Sequence, residues 1–312
     1  MIAPSGVQYA IAFGDQRAVV AEVGATLRLY EARGEPVCWG FREEEMCSGS
    51  RGQVLAPWPN RLRDGSYEFE GAVGRVPLDE PERGNAIHGL VRWAPWRVVA
   101  HEAGAVRLDH VLHPQPAYPF ALRLEIEYRL GGGGLAVTLR AEALGERRTP
   151  FGAGFHGYLE LGPGGVDAAR VALPASRRLL LDDRMLPRGV EDVRGSVHEV
   201  VCGTGPAASQ PVVGALRLDD CFTGLEVGGD GRWHAELLSD GASGPVELWA
   251  DAAYPYAMVY SGDTLVEPDR RKALAVEPMT CPPDALRTGE GLVVLEPGGS
   301  FAASYGVVPP RG

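Results

Sequence analysis

Two segments of the sequence carry side chains that are suited to moving protons. His156 follows the glycine-rich stretch 152–154, and a partly buried histidine changes protonation near neutral pH, as a general acid or base must. Glu277 follows an apolar run and precedes Pro278, so its carboxylate is expected at a strand end. Partial burial there would raise its pKa and make it a better base at neutral pH. Taken singly, each residue also has an ordinary structural interpretation, as a packed histidine or an ion-paired glutamate.

Two further segments supply groups that can hold a polar ligand. Arg61 follows Asn60 in a segment that prolines stiffen, and its guanidinium can clamp neighbouring oxygens of a polyol or a carboxylate. Asp219, next to Asp220, offers a carboxylate in a turn-flanked segment. A surface ion pair for Arg61 and a turn cap for Asp219 are the structural alternatives.

A third ligand-binding segment contains His88, with Ile87 before it and Gly89 after it. A histidine in this setting can present one ring nitrogen to a ligand. The indoles of Trp93 and Trp96 follow closely and are able to stack on the apolar face of a sugar ring. The structural alternative is a hydrogen-bonded core histidine among packing aromatic rings.

These side chains must be positioned by strands rather than by long helices. The 312 residues include 42 glycines and 25 prolines, which interrupt helices and favour short strands joined by turns. Alternation of apolar and polar residues predicts strands, which include 9–13, 18–23, 106–112, 122–130, 135–143, 233–238, 246–250 and 258–261. The glycines at 131–134 separate two such runs and predict a hairpin. We therefore expect one large all-β domain over residues 1–312.

The composition of the chain indicates which binding partners are disfavoured and in which cellular compartment the protein is expected. A formal net charge of −11 disfavours binding to nucleic acid or to an anionic membrane surface. The five cysteines form no close pair, so reduced thiols are expected and a metal site is not. No signal peptide or membrane-spanning run is visible, which predicts a cytoplasmic protein.

In combination, the segments resemble the aldose 1-epimerase (mutarotase) family from about residue 9 to residue 308. The motifs that carry the resemblance occur in the family's order, and they are Asn60-Arg61, Asn85-x-x-His88-Gly89, the glycine-rich stretch leading to His156 and Tyr158, Asp219-x-x-Phe222, and Glu277-Pro-Met-Thr with Pro283-Asp-Ala after it. The resemblance implies a large antiparallel β-supersandwich with few short helices. It also implies a small sugar as substrate, no cofactor or metal, and a monomer or homodimer.

The resemblance also implies roles for six residues. Glu277 is similar to the family's catalytic base and His156 to its catalytic acid. The sugar-binding and charge-stabilising residues are expected to be Arg61, His88, Asp219 and Asn60. Anomer exchange needs one proton removed from the O1 hydroxyl and one delivered to the ring oxygen, for which a base and an acid on opposite sides of the ring suffice. Phe155 stands where the galactose-mutarotase branch usually has Asn, which leaves the preferred sugar open.

Four alternatives remain at this stage, and one of them is a biosynthetic enzyme that uses the same fold on a special sugar or sugar-like substrate. A hexose-6-phosphate 1-epimerase would need cations around the phosphate, and the candidates are Arg63, Arg83, Arg92 and the cluster 270–272. A sugar-binding module of the same fold would keep the groove without turnover. A glycosidase would use Asp219 and Glu277 as its carboxylate pair, and their separation would decide its mechanism.

Overall fold

The computed structural model describes residues 3–311, and strands dominate them. The first thirteen strands are β1 (Gln8–Phe13), β2 (Gln16–Ala21), β3 (Leu27–Ala32), β4 (Glu35–Cys38), β5 (Val54–Leu55), β6 (Arg61–Arg63), β7 (Ser66–Phe69), β8 (Ala72–Arg75), β9 (Asn85–Ile87), β10 (Arg97–Glu102), β11 (Ala105–Leu112), β12 (Leu122–Gly131) and β13 (Gly134–Ala143). The remaining strands are β14 (Thr149–Phe151), β15 (Gly154–Phe155), β16 (Tyr158–Glu160), β17 (Arg170–Ala172), β18 (Ala175–Leu181), β19 (Pro187–Asp192), β20 (Asp219–Leu225), β21 (Arg232–Leu238), β22 (Val246–Asp251), β23 (Tyr256–Tyr260), β24 (Ala273–Met279), β25 (Val293–Leu295) and β26 (Ser300–Val308).

Helical structure is short. The α-helix α1 spans Ala285–Thr288, and four 3₁₀ turns span Gly162–Gly164, Val166–Ala168, Val197–Val201 and Ala207–Ser209. Between residues 3 and 311, no helix has the length and apolar character needed to cross a membrane.

Two large antiparallel sheets enclose the core. The 12-stranded sheet runs β1-β2-β3-β4-β16-β24-β23-β20-β18-β19, with β15 joining β24 to β5. The 8-stranded sheet runs β10-β11-β12-β13-β26-β22-β21-β17. Three two-stranded sheets, β14-β25, β6-β9 and β7-β8, complete the pairing. The expected antiparallel all-β sandwich is therefore confirmed.

Alternation along the strands explains why the two sheets pack together. In β12, Leu122, Leu124, Ile126 and Tyr128 are fully buried, while the residues between them are more exposed. Such a strand buries one face and leaves the other to solvent. Glycines at 131–134 join β12 to β13 in register, as the predicted hairpin requires.

The 12-stranded sheet also carries polar residues on the face turned away from this core. Asp219 pairs with Tyr260, Tyr260 with Ala275, and Ala275 with Tyr158, so these four residues form one row across β20, β23, β24 and β16. Glu277 lies two residues from Ala275 and therefore shares its face. Residues on the opposite face of β24, such as Val276, belong to the main core. The site is built on this outer face.

Candidate functional site

A cavity of about 450 Å³ opens above the row of polar residues on the 12-stranded sheet. The sheet contributes its floor, and the loops around β6 and β9 contribute its walls. All six residues predicted from the sequence line it, namely Asn60, Arg61, His88, His156, Asp219 and Glu277. The structure thus brings together groups from five separate segments of the chain.

Strand register places His156 opposite Glu277. Gly154 pairs with Met279 and Tyr158 with Ala275, so the same antiparallel register puts residue 156 across from residue 277. Nε2 of His156 lies 3.2 Å from Oε1 of Glu277, and the two residues are 6% and 2% exposed. The sequence-based expectation had the acid and base on opposite sides of a ring, whereas the structure places them side by side.

Burial controls the protonation of this pair. Desolvation raises the pKa of Glu277 well above its usual value, the charge of Asp219 raises it further, and Arg61 opposes the rise. Desolvation lowers the pKa of His156 to about 3. Between these two pKa values, the pair holds one proton, which burial favours on the carboxyl group. This proton lies within transfer distance of both side chains.

The backbone around His156 is held from both sides. Its N–H donates to the carbonyl of Gln53, and its carbonyl accepts from the N–H of Gly52. Phe155 points the other way and stacks on Tyr305 in the core, at 4.5 Å between ring centroids. A side chain at Gly157 would place its Cβ 2.5 Å from the Phe155 ring, so only glycine fits there. The alternating directions of this segment turn the imidazole into the cavity.

His88 is held as a neutral hydrogen-bond donor. The N–H of Asn60 donates to Nδ1 of His88 over 3.3 Å, and the N–H of His88 donates to the carbonyl of Asn60. Because Nδ1 accepts, the proton of the neutral ring is on Nε2. Desolvation, followed by the neighbouring His156, lowers the pKa of His88 well below its usual value. Its ring meets that of His156 edge-on at 5.3 Å.

Arg61 joins two carboxylates at the cavity wall. Its Nε donates to both carboxylate oxygens of Glu80, at 3.1 and 3.0 Å, and its Nη2 donates to Oδ2 of Asp219 at 3.3 Å. Burial raises the pKa of Asp219, and the positive charge of Arg61 opposes that rise. Sequence reasoning missed Glu80, because its contact with Arg61 crosses between loops and leaves no local pattern.

Four buried polar atoms of residues that line this cavity have no hydrogen-bond partner within residues 3–311. They are Nη1 of Arg61, Nδ1 of His156, the hydroxyl of Tyr158 and Oε2 of Glu277. A buried polar group without a partner costs about 1–3 kcal/mol, so their concentration in one place is typical of a site built to bind a polar ligand. Nη1 of Arg61 is a donor, the hydroxyl of Tyr158 can donate or accept, the role of Nδ1 of His156 depends on its tautomer, and Oε2 of Glu277 is an acceptor when ionised. The set matches the mixed donors and acceptors of a polyol.

Some sequence-based suggestions fit the cavity and others do not. Trp93 lies at its rim and is 47% exposed, whereas Trp96 is buried in the core and cannot stack on a ligand. Tyr260 also lines the cavity. Within the described range, no three His, Cys, Asp or Glu side chains are grouped closely enough to hold a metal ion.

Comparison with known sequences shows relatives along most of the chain. A family model described as aldose 1-epimerase matches residues 8–307. The uncharacterized protein YihR of Escherichia coli (strain K12) is 32% identical over 295 residues, which cover 94% of this chain and 90% of YihR. Human galactose mutarotase is 26% identical over 183 residues, covering 54% of this chain and 52% of the human protein.

Solved structures share the fold at low sequence identity. A galactose mutarotase-like protein from Clostridium acetobutylicum superposes with a TM-score of 0.82 at 17% identity, covering 97% of this chain and 95% of its own. Galactose 1-epimerase from Lactobacillus acidophilus superposes with a TM-score of 0.75 at 19% identity, covering 96% and 93%. At these identities, the likeness establishes the β-supersandwich architecture.

Proposed function

Because the chain belongs to the aldose 1-epimerase family, a family of isomerases, we propose that it interconverts the α and β anomers of a free, uncharged aldohexose such as glucose or galactose. The observation that carries the proposal is the buried contact between His156 and Glu277 on the cavity floor. A binding module without turnover has no need of an acid and a base that share a proton.

Ring opening follows from the two protonation states of this pair. Glu277, as carboxylate, removes the proton from the O1 hydroxyl, and His156, as imidazolium, delivers a proton to the ring oxygen. The C1–ring oxygen bond breaks and C1 becomes an aldehyde. Rotation about the C1–C2 bond and reclosure, with the roles reversed, give the other anomer. O1 and the ring oxygen are bonded to the same carbon, so an acid and a base that lie side by side suit this step.

Proton balance is maintained throughout the cycle. Ring opening leaves a protonated Glu277 and a neutral His156, which is the distribution that burial favours in the free site. The ion pair needed for opening forms by transfer of that proton from Glu277 to His156 across 3.2 Å, and reclosure with the roles reversed restores the same ion pair. The transfer changes no net charge in the cavity.

The remaining residues hold the sugar. The positive charge of Arg61 and the Nε2–H of His88 stabilise the charge that develops as the ring opens, and the Nε2–H donates to a sugar oxygen. Asp219 accepts from sugar hydroxyls through the part of its carboxylate that Arg61 does not engage. Asn60 fixes the tautomer of His88.

The charges in the cavity favour an uncharged sugar over a hexose 6-phosphate. Its three arginines all have carboxylate partners, since Arg61 pairs with Glu80 and Asp219, Arg83 with Glu80, and Arg92 with Asp79. A phosphate dianion would have to compete with these carboxylates for every cation. The other cations considered from the sequence, Arg63 and the cluster 270–272, lie outside the cavity lining.

The test is the rate of anomer exchange, followed by polarimetry or proton NMR of freshly dissolved α-glucose and α-galactose. We expect acceleration of at least one sugar by the purified protein and a smaller effect, or none, on glucose 6-phosphate. Acceleration of the phosphorylated sugar alone would replace the proposed substrate. No acceleration of any of the three would contradict the proposed function.

A further inference from the structure

Glu80 is the buried carboxylate of the cavity for which the steps above have no use. It lies in the loop between β8 and β9, and this loop closes on itself because Glu80 and Asn85 exchange backbone hydrogen bonds of 3.0 and 3.2 Å. The side chain of Glu80 is 8% exposed. A carboxylate held this rigidly can fix the position of whatever it contacts.

Both carboxylate oxygens of Glu80 already accept hydrogen bonds from other side chains of the protein. Oε1 accepts from Nε of Arg61 and from Nη1 of Arg83, while Oε2 accepts from Nε of Arg61 and from Nδ2 of Asn85, at distances of 2.8 to 3.1 Å. A carboxylate oxygen has about two acceptor positions, so none is left for a sugar hydroxyl. Glu80 therefore acts on the substrate only through its neighbours.

Arg61 is the neighbour that links Glu80 to the cavity, because it contacts Asp219, whose side chain lines the cavity and is 28% exposed. Its Nε donates to Glu80 and its Nη2 to Asp219, while Nη1 is buried without a partner in the described part of the chain. The guanidinium is planar, so fixing Nε also fixes the direction of Nη2 toward Asp219. If Asp219 alone neutralised this buried cation, it would be bound too tightly to accept from a sugar.

We propose that Glu80 is a positioning residue, which holds the Arg61 guanidinium so that Nη2 faces Asp219 and the rest of the Asp219 carboxylate stays free to bind hydroxyl groups. The inference rests on the proposed function for its catalytic consequence. Its structural part, that Arg61 is held by Glu80, does not depend on the substrate.

A double-mutant cycle on kcat/KM tests the catalytic part. Arg61→Met is expected to lower kcat/KM about 10²–10³-fold, and Glu80→Gln about tenfold, because the amide keeps the shape but removes the charge. If Glu80 acts through Arg61, the double variant is no slower than Arg61→Met alone. Losses that multiply in the double variant, or wild-type kcat/KM in Glu80→Gln and Glu80→Ala, would overturn the proposal.

Asp109→Asn is the matched control. Asp109 is a buried carboxylate, 8% exposed, which binds Arg97 on the other large sheet. Its substitution removes an arginine–carboxylate pair, in which Arg97 is 78% exposed, from a sheet that does not line the cavity, so it is expected to affect stability and to leave kcat/KM unchanged. A loss of kcat/KM in this control equal to that in Glu80→Gln would assign the effect to general destabilisation and overturn the proposal.

A measurement that does not depend on enzymatic activity distinguishes this inference from the proposed function. In the NMR spectrum, the Nε–H resonance of Arg61 is expected to be protected from solvent exchange in the wild type, and to exchange at least tenfold faster in Glu80→Gln. If protection is lost as expected but no aldose is turned over, the proposed function fails and the positioning contact stands. Equal exchange rates in both proteins would overturn the positioning contact.

Discussion

Nε2 of His156 and Oε1 of Glu277 lie 3.2 Å apart because β15 and β16, which flank His156, pair with β24 in one register that puts residue 156 across from residue 277. Cross-strand neighbours of this kind are held within contact distance by the sheet itself. The hydrophobic core covers the other face of β24, so the contact has a rigid support. An acid–base pair on strands can therefore keep its geometry through repeated ring opening.

The shared proton predicts an acid limit and an alkaline limit of activity, each set by one residue of the pair. Adding a second proton to the pair requires protonation of His156, whose pKa is lowered to about 3, so activity is lost only as the pH falls toward that value. Removing the last proton requires ionisation of Glu277, whose pKa is raised well above its usual value, so the alkaline loss begins above the ordinary carboxylate range. The kcat/KM profile for glucose or galactose measures both limits. An acid limb near the usual histidine pKa of 6.5 would contradict the account.

Much of the fold follows from local pattern, whereas the details of the site do not. Leucines that alternate with charged residues predict β12, and the glycines after it predict its hairpin with β13. The opposition of His156 and Glu277 depends on which distant strands pair, and that is decided by the packing of the whole sandwich. The contact of Glu80 with Arg61 depends in addition on the course of a loop, for which hydrophobic periodicity carries no information.

Replacing His88 tests its role as a neutral donor. His88→Asn is the suitable change, because residue 88 has a φ of 65° and asparagine tolerates this left-handed conformation. We expect kcat/KM to fall about 10²-fold, as on removal of one donor to a developing oxyanion, while the pH limits stay where they are. Steady-state kinetics over the pH range provide the measurement.

His101→Asn, at an exposed histidine on β10, is the control for that experiment and should match the wild type. A shift of either pH limit in His88→Asn, rather than a uniform loss, would show that His88 takes part in proton transfer. An unchanged kcat/KM would remove it from the site altogether.

Gly89, after β9, lies in close contact with the backbone of Ala56, after β5. A Cβ at this position would lie 2.0 Å from the carbonyl oxygen of Ala56, and the φ of 73° is unfavourable for alanine. Gly14 has a φ of 60° with nothing within 4 Å of the corresponding Cβ, so Gly14→Ala isolates the conformational cost of about 1–2 kcal/mol. Gly89→Ala should lower the free energy of unfolding by about 1–3 kcal/mol more, because of the clash. Urea unfolding of the two variants compares them, and equal losses would mean that the approach to Ala56 is not required.

The most direct test of the central claim is the rate of anomer exchange by Glu277→Gln, with Glu160→Gln beside it. Glu160 lies on β16, is also partly buried with a raised pKa, and stands outside the cavity lining. Loss of the base should lower kcat about 10²–10⁴-fold in Glu277→Gln, while Glu160→Gln keeps the wild-type rate. A folded Glu277→Gln protein that exchanges anomers as fast as the wild type would contradict the assignment of Glu277 as the base.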